Sequence, residues 1–510
     1  MSSLENLDIA SWKDLTNRKD KIFYRFFEIL PGILSLSTLF FAVFFSYFKP
    51  AWVAYFIIAF DVYWTLKAFN LIFYQIVCFK KMQKNLKINW KEEFQNTFPN
   101  QEMFQVIILP TYKEPWKVIQ DTLSSIANCS YPKDKIIFVL AQEERVGKEH
   151  YEKIRNLALK HYGNSFFKFL VSLHPANLEG EFPGKGANVR YAGKIVEDFF
   201  KKEKLPISKT IVSIFDSDTK VFQDYFYKLA FDFLDSKNPY RQSFQPIPIY
   251  HNNIWVAHAI SRVVAVSNTF WQMRMQEKPE HLVTYSSHSM ALLTFLEVGF
   301  PHNVVSDDSR IFWKCFFKYN GKYSVKSLFY PVSMDAVEAE NLSKTLISLY
   351  KQQRRWAYGV IEIPYVAFGF LKNKEIPFIK KISHMFNLIE GFWSWACASL
   401  LILLLGWLPV FLGGHNFKVT ILSFNLPRLT SKIMTFAAIS MCFSALINII
   451  FLPPRPKEIK PIKKLSMLSQ WIFLPISLIV FGALPALDAQ VRLLLGKYLD
   501  FFVTPKERKL

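Results

Sequence analysis

Apolar residues are unevenly spread along this chain of 510 residues. They gather in five long blocks, Phe26–Phe48, Trp52–Ile76, Ile389–Leu412, Ile433–Leu452 and Leu468–Leu487. Each is near the roughly 20 residues that a helix needs to cross the hydrocarbon core of a bilayer. The first block is too long for a signal peptide and runs almost directly into the second. Between the second and third lies a mixed block, Phe79–Leu388, in which short apolar runs alternate with amphipathic stretches. Gln105–Leu109, Lys135–Leu140, Phe166–Ser172 and Thr210–Phe215 predict strands; Val118–Ala127 and His150–His161 predict helices. That alternation implies a largely parallel sheet with helices on both faces and a site at the carboxyl ends of the strands.

Charge adds orientation. Lys13, Arg18, Lys19, Lys21 and Arg25 precede the first block, and Lys80, Lys81, Lys84 and Lys87 follow the second. By the positive-inside rule both flanks, and the domain between them, belong in the cytoplasm. The net charge of +21 is largely juxtamembrane, as anionic headgroups favour, so no nucleic-acid partner is expected. Five cysteines, at 78, 129, 315, 397 and 442, show neither metal spacing nor a pairing pattern, which suits a reducing compartment.

Several short clusters offer chemistry. The strand Thr210–Phe215 delivers Asp216-Ser217-Asp218. Residues two apart on an extended chain share a side, about 6.5–7 Å apart. Such a pair either brackets a hard divalent cation or simply ends a strand in a turn. Thr111, Tyr112 and Glu114, after the first strand, are placed to meet a nucleoside or to form a Pro-bounded turn. Gly184-Lys185-Gly186-Ala187-Asn188 opens a helix at which backbone and a lysine charge can meet a phosphate, although it is no Walker A loop. Ser306-Asp307-Asp308 fits an N-cap with two acids in the first helical turn, a setting that would also hold Asp308 as a general base. On the predicted helix Asn341–Ile361, Gln352, Arg355 and Trp356 share one face. An amide, a guanidinium and an indole together suit a diphosphate and a sugar ring.

In this order the clusters resemble the family-2 glycosyltransferases, specifically the membrane-embedded, cellulose synthase-like branch. The family's Pro-Thr-Tyr-x-Glu, Lys-Gly-x-Asn, Asp-x-Asp, Thr-Glu-Asp and Gln-x-x-Arg-Trp stand here as Pro110–Glu114, Lys185–Asn188, Asp216–Asp218, Ser306–Asp308 and Gln352–Trp356. A sixth, Phe501-Phe-Val-Thr-Pro-Lys506, is similar to the Phe-x-Val-Thr-x-Lys gating loop, giving gating roles to Phe501, Val503, Thr504 and Lys506. The resemblance implies an α/β GT-A domain, a Rossmann-like mixed sheet, that is cytoplasmic and flanked by transmembrane helices. It implies an inverting transfer from a nucleotide-activated sugar, a UDP-sugar, with Mg2+ or Mn2+. Thr111, Tyr112 and Glu114 would hold the nucleoside, with Glu143 (or Glu144) in place of the usual uracil-reading Asp. Lys185 and Asp216 would meet the nucleotide sugar, Asp218 the metal, Asp308 the acceptor hydroxyl, and Gln352, Arg355 and Trp356 the acceptor end and diphosphate.

The expected organisation is an N-terminal segment with two spans (1–80), the transferase domain (81–360), interfacial helices (361–388), C-terminal spans (389–487) and an interfacial helix with the gating-like tail (488–510). Five full spans would put that tail outside, so the last block, interrupted by Pro475 and Pro485, is expected not to cross. Asp61, inside the second block, is a candidate for a polymer path or a partner of Lys67. His288 is expected to be structural rather than to face the acceptor. The leading expectation is elongation of a polysaccharide at the plasma (inner) membrane. The alternatives are transfer of one sugar to a lipid acceptor and an inactive export subunit; whether an export partner joins is left open.

Overall fold

The structure, a computed structural model, describes residues 8–500 and 502–506. Its centre is an eight-stranded sheet: β1 (Phe104–Pro110), β2 (Ile136–Glu143), β3 (Lys168–His174), β4 (Thr210–Ile214), β5 (Lys220–Val221), β6 (Gln242–Ile249), β7 (Ser289–Ala291) and β8 (Ser324–Ser333). They are ordered β3-β2-β1-β4-β7-β6-β8-β5. β3, β2, β1 and β4 are mutually parallel, whereas β7 runs antiparallel to both β4 and β6. The expected parallel strands are present, each within a few residues of its predicted bounds. The mixed half was not legible, because β5 and β7 are too short to show a period.

Strand alternation divides the core. Val106 and Ile108 of β1, with Ile137 and Val139 of β2, face a cluster that holds Val189, Val196 and Phe200 of the helix Lys185–Glu203. Ile107, Leu109, Phe138 and Leu140 face the opposite cluster, with Ile119 and Leu123 of the helix Trp116–Ala127 and Ile154 of Lys148–Tyr162. Both faces are covered, so β2 is buried throughout and reads as one apolar run.

Among the described residues four helical runs are long and apolar enough to cross a membrane: Arg18–Phe48, Pro50–Lys87, Phe378–Leu403 and Lys463–Leu494. A further helix, Ile421–Phe451, has 31 residues and packs along Pro50–Lys87 through Ser444 Oγ on Gln75 at 3.0 Å. The helices outrun the apolar blocks, since polar turns extend them toward the sheet. Lys463–Leu494 differs from the others. Gln470 accepts from Arg262 of the domain helix Ala259–Gln276 at 2.7 Å. Near the other end Asp488 pairs with Arg354 of the helix Leu342–Ala357 at 2.8 Å. In between, the carbonyl of Leu478 accepts from Ser399 of Phe378–Leu403 at 3.0 Å. Both ends therefore lie against the domain. Pro475 and Pro485 sit at the starts of helical segments on either side of a π-turn, Ile479–Ala483, where a missing N–H costs least. Asp61 is buried, and Lys67 pairs with Glu390 rather than with it.

Candidate active site

The candidate side chains collect where the parallel half of the sheet meets the antiparallel half, at the carboxyl ends of β1, β2 and β4. After β1, Thr111 extends the ladder, its N–H donating to Ala141 O at 2.8 Å. Glu114 then accepts from the backbone of Tyr112 at 2.6 Å and fixes the elbow. After β2, the buried Glu143 pairs with Arg145, whose guanidinium lies 4.3 Å from the centre of the Tyr112 ring. Arg145 thus holds both the ring and the carboxylate. Nothing in the sequence marked it beyond standing two residues past Glu143.

After β4 the chain turns instead of staying extended, with Thr219 N–H donating to Asp216 O at 2.9 Å. The expected same-side spacing of an extended chain is therefore replaced by a turn that points the two carboxylates at different partners. Asp216 accepts from Lys185 Nζ at 2.8 Å and Ser286 Oγ at 2.6 Å. Asp218 accepts from Lys506 Nζ at 2.8 Å and from the Asp335 N–H at 2.9 Å. Thr122 and Asn252 fix the turn through the carbonyls of Ser217 and Asp218, each at 2.8 Å. Burial opposes ionisation of Asp216, yet Lys185 and Lys506 hold it well below the usual carboxylate range. Among the described residues no three His, Cys, Asp or Glu side chains cluster around a metal-sized centre.

Lys185 also donates to both oxygens of Asp308, at 2.8 and 3.0 Å, so one ammonium ties the Asp-Ser-Asp turn to the second acid pair. It begins the helix Lys185–Glu203, as expected. Gly186 serves packing rather than phosphate approach: a Cβ there would stand 2.3 Å from Pro301 O and 3.3 Å from Asp307 Oδ2. Ser306 is at the N-cap of the helix Asp307–Lys318, but its hydroxyl donates to Glu362 and no side-chain cap bond forms. Asp307 takes over locally, accepting from Asp308 N–H at 3.0 Å. Its other oxygen has no hydrogen-bond partner among the described residues. Burial, with Asp308 beside it, pushes Asp307 up to about 8. His288 is buried, with Nδ1 2.9 Å from Tyr285 O and its ring stacked on Phe300, an arrangement that fits a structural role.

On the helix Leu342–Ala357, Gln352, Arg355 and Trp356 line one cavity of about 690 Å³ together with Asp216, Asp218 and Asp308. Arg354 turns away to Asp488. Val503, Thr504 and Lys506 line the same cavity, which puts the tail at the site; Phe501 lies outside the described residues. The helix Ala259–Gln276 adds Val264, Asn268, Trp271 and Arg274, a one-sided ladder at helical spacing. The cavity continues to Trp64, Lys67, Trp395 and Phe481 of the apolar helices.

Residues 211–452 match the family described as glycosyl transferase family group 2. That match makes the central part of the chain similar to the family-2 glycosyltransferases. Its mixed sheet has the GT-A form. No curated protein matches the chain. Among solved structures, it is similar to the mannosyltransferase PcManGT from Pyrobaculum calidifontis in complex with GDP-Man and Mn2+, at 15% identity over 83% of this chain and 99% of that one, with a TM-score of 0.39. It is also similar to S. aureus TarS 1-349 in complex with UDP-GlcNAc, at 14% identity over 74% and 91%, TM-score 0.37. A third, GalNAc-T7 with UDP, GalNAc and Mn2+, shares 11% over 57% and 58%, TM-score 0.33. Likeness of this degree carries no substrate to this chain.

Proposed function

We propose that this glycosyltransferase elongates a polysaccharide from a UDP-sugar by single inverting displacements and passes the product between its apolar helices, in the manner of a cellulose synthase-like enzyme. One observation carries the reading: the cavity holding Asp218, Asp308 and Arg355 is the same cavity that reaches Trp64, Trp395 and Phe481. A carbohydrate leaving the transfer site would meet aromatic rings, on which sugar faces pack.

The roles follow from chemistry. Tyr112, held by Arg145, supports the nucleobase, with Thr111, Glu114 and Glu143 around it. Asp308 takes the acceptor proton, which leaves Asp307 as its neutral neighbour. Lys185 and Arg355 face the leaving diphosphate, where charge accumulates. Gln352 and Trp356 seat the acceptor end. Asp218 fits a hard divalent cation, Mg2+ or Mn2+: it is a carboxylate that already attracts a cationic group, the Lys506 ammonium. When bound, such an ion would neutralise the departing diphosphate.

Basic residues near the ends of the first two helices support a plasma-membrane enzyme with its domain in the cytoplasm. The return of Lys463–Leu494 to the domain supports a last segment that dips and does not cross, which keeps the gating-like tail on the catalytic side. A second reading, addition of one sugar to a lipid, draws on Lys67 and Arg274 in the membrane arm of the cavity, where a headgroup phosphate would meet cations. Purified protein in proteoliposomes, given UDP-glucose or UDP-N-acetylglucosamine, separates the two by product length measured together with UDP release. Long polymer supports elongation; a single lipid-linked sugar overturns it in favour of the second reading.

A further inference from the structure

Asp218 is only 2% exposed. A carboxylate that deep in a protein requires a compensating charge. Its Oδ2 is engaged by the Asp335 N–H, which leaves Oδ1, and Oδ1 takes the Lys506 ammonium at 2.8 Å while the same ammonium donates to Ser217 Oγ at 2.9 Å. The lysine arrives from the end of the chain on a segment held at several points. Arg25 of the first helix donates to the carbonyl of Leu493 at 2.9 Å and to that of Leu494. Tyr498 donates to Glu28 at 3.1 Å, and Gly496, with φ +69°, makes the turn between these anchors. Nearer the tip, Phe502 lies under Lys351, 5.1 Å from ring centre to ammonium, and Lys506 pairs in a parallel bridge with Glu338.

We infer that Lys506 is a competing cation for the metal carboxylate: its ammonium occupies Asp218 while the donor site is empty, and a divalent cation binds there only when the ammonium leaves. The inference rests on the reading of Asp218 as metal ligand. A hard dication claims a carboxylate oxygen at about 2.0–2.1 Å, and the only oxygen not engaged by backbone is the one Lys506 holds. Two cations on one oxygen repel, so the states exclude each other. A nucleoside diphosphate alters the balance, because its phosphate oxygens offer the displaced ammonium a new anion beside the old one. Metal and donor then reinforce each other's binding through Lys506, and the tail shifts from carboxylate to phosphate without leaving the site.

Mn2+ binding to the full chain in detergent, followed by the electron paramagnetic resonance of the free ion, tests this without turnover. Without nucleotide, Lys506→Gln is expected to bind Mn2+ about tenfold more tightly than the parent, inside the span of ordinary coupling energies. Lys506→Arg should behave as the parent. UDP should tighten Mn2+ binding in the parent by more than in Lys506→Gln. If Lys506→Gln binds Mn2+ no more tightly while Asp218→Asn loses it, the competition is overturned and the metal reading stands. If Asp218→Asn binds Mn2+ like the parent, the metal reading falls and the competition falls with it.

Discussion

Two pairs of acids face each other across the transfer site, and they are treated differently by the fold. In Asp216-Ser217-Asp218 each carboxylate takes an ammonium, Lys185 (shared with Asp308) for the first and Lys506 for the second. In Asp307-Asp308 one ammonium, Lys185, serves only the second acid, and Asp307 is buried with an oxygen unpartnered among the described residues. The result is a low-lying Asp216 and an Asp307 pushed up to about 8. Identical side chains a short distance apart are thus set for different work by who neutralises them, which is how carboxylates divide acid, base and cation-binding roles elsewhere.

The sharpest way to break the comparison is at Asp308. If it removes the acceptor proton, Asp308→Asn should lower turnover about 10²–10⁴-fold, the usual worth of a general base, while UDP affinity measured by calorimetry stays within about twofold. Turnover within a factor of a few of the parent would remove Asp308 from that role and reduce the second pair to packing. The next effect belongs to the first pair. Asp218→Asn should cost roughly a hundredfold in kcat/KM, about 2.7 kcal/mol at about 1.36 kcal/mol per decade, with saturation in Mn2+ lost rather than merely shifted. An unchanged Mn2+ dependence would show that the pair binds no metal.

The places of these residues were legible to different depths. The parallel strands announced themselves because, buried on both faces, they are continuous apolar runs. The order of short motifs singled out Lys185, Asp216, Asp218, Asp308 and the Gln352–Trp356 helix face, which line one cavity. Arg145, Ser286, Asn252 and Asp335 were not found, since each acts through a contact made by folding: a stack on Tyr112, or hydrogen bonds to the Asp-Ser-Asp turn. Whether the pair lay on extended chain or in a strand-ending turn stayed open in the sequence, because two-residue spacing carries no sign of the bond from Thr219 to Asp216. Lys506 was noticed as a motif, but its partner was out of reach, because 288 residues separate it from Asp218.

Lys185 joins the two pairs and so tests whether they are one unit. Lys185→Gln keeps hydrogen-bonding capacity and removes the charge from both Asp216 and Asp308. Removing one partner from a buried pair leaves an uncompensated charge, so the donor KM should rise about tenfold, and the double variant Lys185→Gln with Asp216→Asn should recover part of that loss. Simple additivity of the two substitutions in kcat/KM would mean that Lys185 does not couple the pairs.

The smallest effect concerns Asp307, the one acid left without a cation of its own. In the unfolded chain it titrates near the ordinary value of 3.8, and in the folded protein burial, with Asp308 beside it, pushes it up to about 8. Between those values the folded state holds a proton that the unfolded state releases. The group's contribution to stability is therefore fully present below about pH 4 and is lost as pH rises toward 8. Asp307→Asn, which is neutral at every pH, removes that dependence. Thermal melts of the detergent-solubilised protein should converge for parent and variant at pH 4 and separate at pH 8.5, the variant melting about 1 °C higher for each 1 kcal/mol in a chain of 510 residues. Parallel curves would mean that Asp307 is ionised throughout, that Lys185 and Arg355 outweigh its burial, and that the two acid pairs are alike after all.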